Sequence, residues 1–245
     1  MKLLFVQCKM ELLRVIRNPY FVFWSLLMPM VFYFIFTRIV NVGVDNKAWW
    51  QAHYLMSMTG FSIMGSAIMT LGIRIVQERK NGWTTYIRIT PLQGSIYFAG
   101  KMFGQFMMHL FSIITIFLCG YLLNGVSLSW SAWLSCGLWL LLASIPFLGL
   151  GALVGTMKRV DTASGVSNAL FMLLAITGGM WFPLDIMPKF LQTAAKLLPA
   201  YHFGGGAWEI VRGETPQWEH ALFLAGYLLL FMILSTYIRR KQEAV

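Results

Sequence analysis

The sequence predicts an all-α integral membrane protein with six transmembrane helices, and three observations carry that prediction. Of its 245 residues, 58% are apolar and 11% are charged, against roughly 45–50% and about 25% in soluble domains. So few charges cannot coat a compact globule in water, and lipid must solvate most of the chain. The apolar residues gather into long runs, and the mean hydropathy is +0.67. The third observation is charge placement: 19 Lys and Arg against 9 Asp and Glu leave a net charge of +10. The cations lie in short runs between apolar stretches, which is positive-inside patterning and not a nucleic-acid surface. Six spans of ~20–25 residues use up most of the length. A separate soluble catalytic or nucleotide-binding domain has no room, and the whole of 1–245 reads as one transmembrane domain.

Residues 1–19 read as an interfacial helix. Gln7, Glu11, Arg14 and Asn18 recur at helical spacing as a polar stripe, with Leu3, Val6, Met10 and Leu13 beside it and Lys2 and Lys9 snorkelling. Spans follow at about 20–40, 52–76, 97–123, 133–157, 162–183 and 218–238, each long enough for ~30 Å of hydrocarbon at 1.5 Å per residue. Asn124-Gly125 and the series Ser127, Ser129, Ser131 separate the third span from the fourth. Pro29 and Pro146 fall inside spans and should bend them. Between the last two spans, Asp185 to Gln217 is too long for a hairpin. Its apolar pieces, punctuated by Pro188, Pro199 and Gly204-Gly205-Gly206, suggest short helices lying on the outer leaflet.

Orientation follows from the cations. Lys2, Lys9, Arg14, Arg17, then Arg74, Arg79, Lys80, Arg88, Lys101, then Lys158, Arg159, then Arg239, Arg240, Lys241 share one side. The other side has Arg38, Lys47, Lys189, Lys196 and Arg212. Both termini are therefore expected in the cytoplasm, with the chain multi-pass in the plasma membrane. The first apolar run begins near residue 20 and ends in Phe36-Thr37-Arg38, so it reads as a retained helix and not a cleaved signal peptide.

Several chemistries are excluded. Cys8, Cys119 and Cys136 have neither disulfide nor metal spacing. All nine acidic residues fall in predicted links or tails, leaving no carboxylate at mid-bilayer for ion coupling. His109 lies well inside a span and reads as a relay or an interhelical hydrogen bond, of which helix packing favours the second. His53, His109, His202 and His220 are scattered, with no carboxylate at ligand spacing, so no metal site is expected. Ser164-Gly165 has Thr162 where a nucleophile turn needs glycine, and no catalytic residue is assigned. Gly94 to Lys101 is similar to a phosphate loop, but five residues separate Gly94 from Gly100 and Met102 replaces the Ser or Thr. The chain itself is not expected to bind a cofactor.

The link from Gln77 to Ser95 combines Glu78-Arg79-Lys80 with Gly82, Pro91 and Gly94. It suits a short cytoplasmic helix and turn at a protein contact, or a solvated loop held to anionic lipid. Glu78-Arg79-Lys80-Asn81-Gly82 followed by Thr90-Pro91 resembles the E-R-x-x-G…T-P element of ABC-2 type permeases, the membrane subunits of ATP-binding-cassette exporters. Gly178-Gly179-Met180-Trp181-Phe182-Pro183-Leu184, Pro188 and Leu198-Pro199-Ala200-Tyr201 resemble a second family element, at the outer end of the fifth span.

The resemblance implies a coupling helix built from Glu78, Arg79, Lys80, Gly82, Thr90 and Pro91, lodged in a groove of an ATPase. It implies two ATPase subunits, which bind ATP and Mg, a second permease chain as homodimer or heterodimer, and surrounding lipid. Export of an amphipathic or apolar compound such as a drug, antibiotic or lipid is the activity implied. Thr59, Ser62, Ser66 and Thr70, with Gly151 and Gly155, line helix faces that serve either close packing or a substrate path. Trp24, Met28 and Phe32, with Thr59, Ser62 and Ser66, are the substrate-path candidates, and Trp181, Phe182 and Pro183 those for an outer gate.

Overall fold

The structure is a computed structural model that describes residues 2–17, 19–39, 46–184 and 187–243. Among these, every regular element is helical. In chain order they are α1 (Lys2–Ile16), α2 (Pro19–Phe34), α3 (Lys47–Gly65), α4 (Gly72–Lys80), α5 (Trp83–Arg88), α6 (Gly94–Asn124), α7 (Trp130–Ala143), α8 (Ile145–Val154), α9 (Val160–Thr177), α10 (Lys189–Ala195), α11 (Pro199–Val211) and α12 (Trp218–Glu243). Wide π turns extend α2 through Ile35–Ile39 and join α3 to α4 through Ser66–Leu71.

Five helical stretches are long and apolar enough to cross a bilayer: Lys47–Lys80, Gly94–Asn124, Trp130–Val154, Val160–Thr177 and Trp218–Ile238. Ahead of them is a shorter apolar helical piece, Leu26–Ile39. The centre of the bundle is α3, in which every residue from Ala52 to Met64 is buried. A helix apolar or small on all faces loses nothing by being surrounded. At 34 residues, Lys47–Lys80 is about 51 Å long, more than the ~30 Å of hydrocarbon. Its last turns, with Arg74, Glu78, Arg79 and Lys80, have length to spare beyond the apolar slab.

Close packing at the π segment depends on glycine. A Cβ at Gly151 would lie 2.1 Å from the Ala67 carbonyl oxygen, and one at Gly72 would lie 2.9 Å from that of Gly151. Backbone therefore meets backbone between α8 and the wide turn, as expected of small faces in lipid. Gly155 instead receives the Ile75 side chain, 3.0 Å from where its Cβ would lie. The α7–α8 break falls at Ser144, with Pro146 in the first turn of α8. Ser144 Oγ donates to the Leu141 carbonyl at 2.7 Å, so His109 Nδ1 donates to Ser144 Oγ at 3.0 Å. His109 thus ties α6 to the break through an interhelical hydrogen bond. The α6–α7 turn has Gly125 in the left-handed region at φ 66° and Ser129 accepting from the Ala132 N–H, where the sequence placed a breaker.

Three boundaries differ from expectation. Gln77–Lys80 is the end of the long helix, so the connection beyond it is Asn81–Gln93 with α5 inside it. The helix expected to run to 183 stops at Thr177, because Gly178 packs against Ala200 and Gly179 turns the chain at φ 80°. The largest change is α11. Gly204-Gly205-Gly206 lie inside a helix buried against α3, α7 and α12, and do not punctuate a surface segment. Added Cβ atoms would meet Trp208, His220 Cε1 at 2.7 Å and Trp139 at 2.3 Å. Without side chains, these three positions let the neighbours sink onto the helix backbone.

Candidate functional site

At the charge-rich end of the bundle, α1, α4 and α6 are clasped by ions. Of the polar stripe, Gln7 and Glu11 face inward onto α6, where a Cβ at Gly100 would lie 2.4 Å from Gln7 and one at Gly104 would lie 3.0 Å from Glu11, while Asn18 lies outside the described residues. The opposite face, with Leu3, Phe5, Val6 and Met10, is exposed. Glu11 turned inward and an outer face that is apolar apart from exposed Lys9 is the reverse of a helix on a soluble protein and suits one covered by lipid.

Two carboxylates and three cations meet there. Lys101 Nζ is 2.5 Å from Glu78 Oε2 and 3.4 Å from Glu11 Oε1. Arg14 donates to Glu78 at 2.6 Å and lies 3.5 Å from Glu11. Arg74 spans both acids at 3.6 and 3.8 Å, and the Tyr97 hydroxyl donates to Glu78. The Lys101 side chain is 1% exposed. A charge so enclosed is tolerable only because two carboxylates face it, and removing one partner of such a pair costs about 3–5 kcal/mol. Arg14, 42% exposed, contributes far less.

From this anchor the chain turns outward. Gly82 has φ 74°, and a Cβ added there would meet nothing within 4 Å, so its role is positive φ and not close approach. The Thr90 hydroxyl donates to the Ile87 carbonyl and accepts from the Leu92 N–H. Between them, α5 and its C-cap Ile89 present Trp83, Tyr86 and Ile89 to the outside at 43%, 67% and 79% exposure, with Trp83 and Tyr86 stacked at 6.3 Å. Arg79 donates to the carbonyls of Gly155 and Met157, fastening the C-terminal end of α8 to α4. Lys80 and Pro91 are exposed. The six residues are therefore split: Glu78 and Arg79 point inward, while Lys80, Gly82, Thr90 and Pro91 frame the exposed α5.

The substrate-path and gate candidates do not form one surface. Thr59 is fully buried and donates to the Leu55 carbonyl, Ser62 is buried, and Ser66 accepts from Gln105 at 2.5 Å. Met28 is exposed, and the Trp24 side chain lies outside the described residues. Phe32 joins the gate candidates, with its ring 5.4 Å from Trp181, while Phe36 meets Phe182 at 5.9 Å. The Tyr54 hydroxyl donates to the Trp181 carbonyl at 2.5 Å, and Pro183 is half-buried. Two apolar grooves, about 490 and 640 Å³, open elsewhere, beside Phe98, Met102 and Phe231 and beside Leu138, Trp139 and Leu224. Neither is lined by these candidates.

Sequence reasoning missed the partners Glu11, Arg74, Tyr97 and Lys101, although the Gln7–Glu11–Arg14 stripe and the i,i+4 pairs Arg74–Glu78 and Tyr97–Lys101 were signals. It also treated all four histidines as scattered. At the other end of the bundle, His202 and Glu209, seven apart on α11, meet His220 of α12. Among the described residues, no group of three His, Cys, Asp or Glu side chains is arranged to hold a metal ion.

Comparison with known proteins places this architecture. Residues 42–237 match the ABC-2 family transporter protein profile. A Bacillus subtilis (strain 168) protein named as the transport permease YvfS is 56% identical over 235 residues, covering 96% of both chains. The linearmycin resistance permease protein LnrN of the same organism is 26% identical over 189 residues, or 72% of this chain and 46% of LnrN. With its apolar helices, its inward-facing charge clasp and a matched region that takes in four-fifths of its length, the chain belongs to the ABC-2 family of transporter proteins.

Proposed function

We propose that the chain is the permease subunit of an ABC exporter. It moves an amphipathic or apolar compound outward across the plasma membrane, driven by ATP and Mg chemistry in two separate ATPase subunits. It pairs with a second permease chain, sits in lipid and does not act on nucleic acid. In this reading Leu26–Ile39, with the helical turns before it, completes six spans, both termini are cytoplasmic, and α1 lies in the inner interface.

The observation that carries the proposal is α5. A six-residue helix with Trp83 and Tyr86 exposed, and Ile89 exposed at its C-cap, has little stability of its own. Left-handed Gly82 aims it away from the bundle, and Glu78, one turn before, is held by Lys101, Arg14 and Tyr97. An exposed aromatic tip on a rigid stem fits a groove in a partner and passes displacement into α4 and α6. The LnrN likeness favours antibiotic-like cargo over polysaccharide.

The test is co-expression with the ATPase of the adjacent reading frame. Tyr86→Asp should reach the membrane at normal abundance yet lose ATPase co-purification and resistance to lipophilic antibiotics. Full co-purification and full resistance in that variant would sink the proposal.

A further inference from the structure

The buried cluster at the end opposite Glu78 has a proton count that can be read from its hydrogen bonds. His202 Nε2 faces the Lys196 carbonyl at 2.8 Å, and since a carbonyl only accepts, that nitrogen carries hydrogen. His202 Nδ1 faces His220 Nδ1 at 2.8 Å, which requires one hydrogen between them and no more. His220 Nε2 faces Glu209 Oε1 at 3.2 Å, which requires another. Glu209 Oε2 is occupied by the Gln217 N–H at 2.8 Å. The chain therefore needs three hydrogens, whereas two neutral imidazoles beside a carboxylate bring two. His202, Glu209 and His220 are 4%, 5% and 4% exposed, so water does not make up the difference.

We infer that His202, His220 and Glu209 form a single-proton binding site, a clasp that docks α11 on α12 when it holds one proton beyond the neutral imidazoles and carboxylate. Removing that proton sets a lone pair against a carboxylate oxygen. Adding a second sets two N–H groups against each other across 2.8 Å. Either change places an unmatched buried group between the helices. The clasp is intimate because Gly205 lets the His220 ring rest on the α11 backbone.

The surrounding charges are few. On α11, Arg212 pairs with Glu214, and Tyr201 is edge-on to the His220 ring at 5.8 Å. On α12, Glu219 precedes His220 and the Tyr227 hydroxyl donates to the Leu197 carbonyl. α10 contributes Lys189 and is followed by Lys196, while α7 contributes Trp139 and Cys136. α3 approaches α11 with His53, stacked on Trp208 at 4.9 Å, and α9 carries its one acid, Asp161, in its first turn.

The sign of the pH dependence follows. Unfolded histidines titrate near pH ~6.5. Below that the two clasp histidines of the unfolded chain hold two protons against one excess proton in the folded clasp, so the clasp's contribution to stability rises with pH. Above it those two hold none against one, so the contribution falls. Glu209→Gln removes the need for the extra proton: its amide donates to His220 Nε2, its carbonyl accepts from Gln217, and both imidazoles stay neutral.

The experiment is thermal unfolding of the full chain in lipid nanodiscs, followed by tryptophan fluorescence from pH 5 to 8.5. Wild type should peak near pH ~6.5, then lose about 3–5 °C per pH unit until the proton leaves the folded clasp. E209Q should level off above pH ~6.5. If E209Q does not yield folded protein, H220Q reads the same limb, because its amide donates to the carboxylate at any pH. A variant profile parallel to wild type between pH 7 and 8.5 overturns the inference.

Discussion

Glu78 is an internal strut. Its carboxylate faces Lys101, Arg14, Arg74 and Tyr97, and all four belong to this chain. Glu78→Ala should therefore cost about 3–5 kcal/mol of stability, because Lys101 is left enclosed with one carboxylate in place of two. Lys101→Met should cost less, because Arg14 and Arg74 still face both carboxylates and the Tyr97 hydroxyl still donates to Glu78. Lys80→Ala, on the exposed side, should stay within ~0.5 kcal/mol. Chemical unfolding in detergent checks all three, and equal costs for Glu78→Ala and Lys80→Ala would remove the strut. Gly82→Ala should cost about 1–2 kcal/mol from the left-handed backbone alone, since a Cβ there has open space. Gly82→Val should cost more, because β-branching narrows the backbone further.

α5 and α11 show how little an element's surroundings can be read from its own residues. Both are short and both are bounded by glycine or proline. Yet α5 stands exposed, while α11 is buried along ten of its thirteen residues. What separates them is the partner surface. α11 fits because Gly204 makes room for α11's own Trp208, while Gly205 receives His220 and Gly206 receives Trp139, whose indole N–H donates to the Phe203 carbonyl at 2.9 Å. Gly206→Leu should force Trp139 out and unlock α11 from α7, lowering the unfolding midpoint and raising protease cleavage near Gly213. The same change at Gly165, where a Cβ meets nothing, should be silent. Overpacking of this kind costs about 1–3 kcal/mol or more.

At the scale of the molecule, the question is which end faces the cytoplasm. The Lys and Arg asymmetry predicts Asn81 inside and both Asn46 and Gln217 outside, and all three are exposed. In a background with Cys8, Cys119 and Cys136 replaced, single cysteines at Asn46 and Gln217 should react with an impermeant reagent in intact cells. One at Asn81 should not. Labelling at Asn81 from outside would reverse the orientation and remove α5 from any cytoplasmic partner. Purified chain alone should hydrolyse no ATP, and ion-driven uptake into vesicles in the absence of an ATPase would argue for a secondary transporter.

The sequence by itself determined the helical membrane class and the positions of most helices, because lipid imposes length and apolarity on each span separately, and its two motif elements carried the family resemblance. Those are local properties, legible one segment at a time. The turn at Asn124-Gly125 and the small faces at Gly151 and Gly155 were local too. Only the tertiary structure decided that Glu11 of α1 turns inward on Lys101, that α11 is buried, and that His202, Glu209 and His220 share one network. These facts depend on which helix lies beside which, and a charge or a glycine looks the same in the sequence whatever it faces. The buried polar groups were the least legible for that reason, since each is stable only through partners supplied by distant parts of the chain.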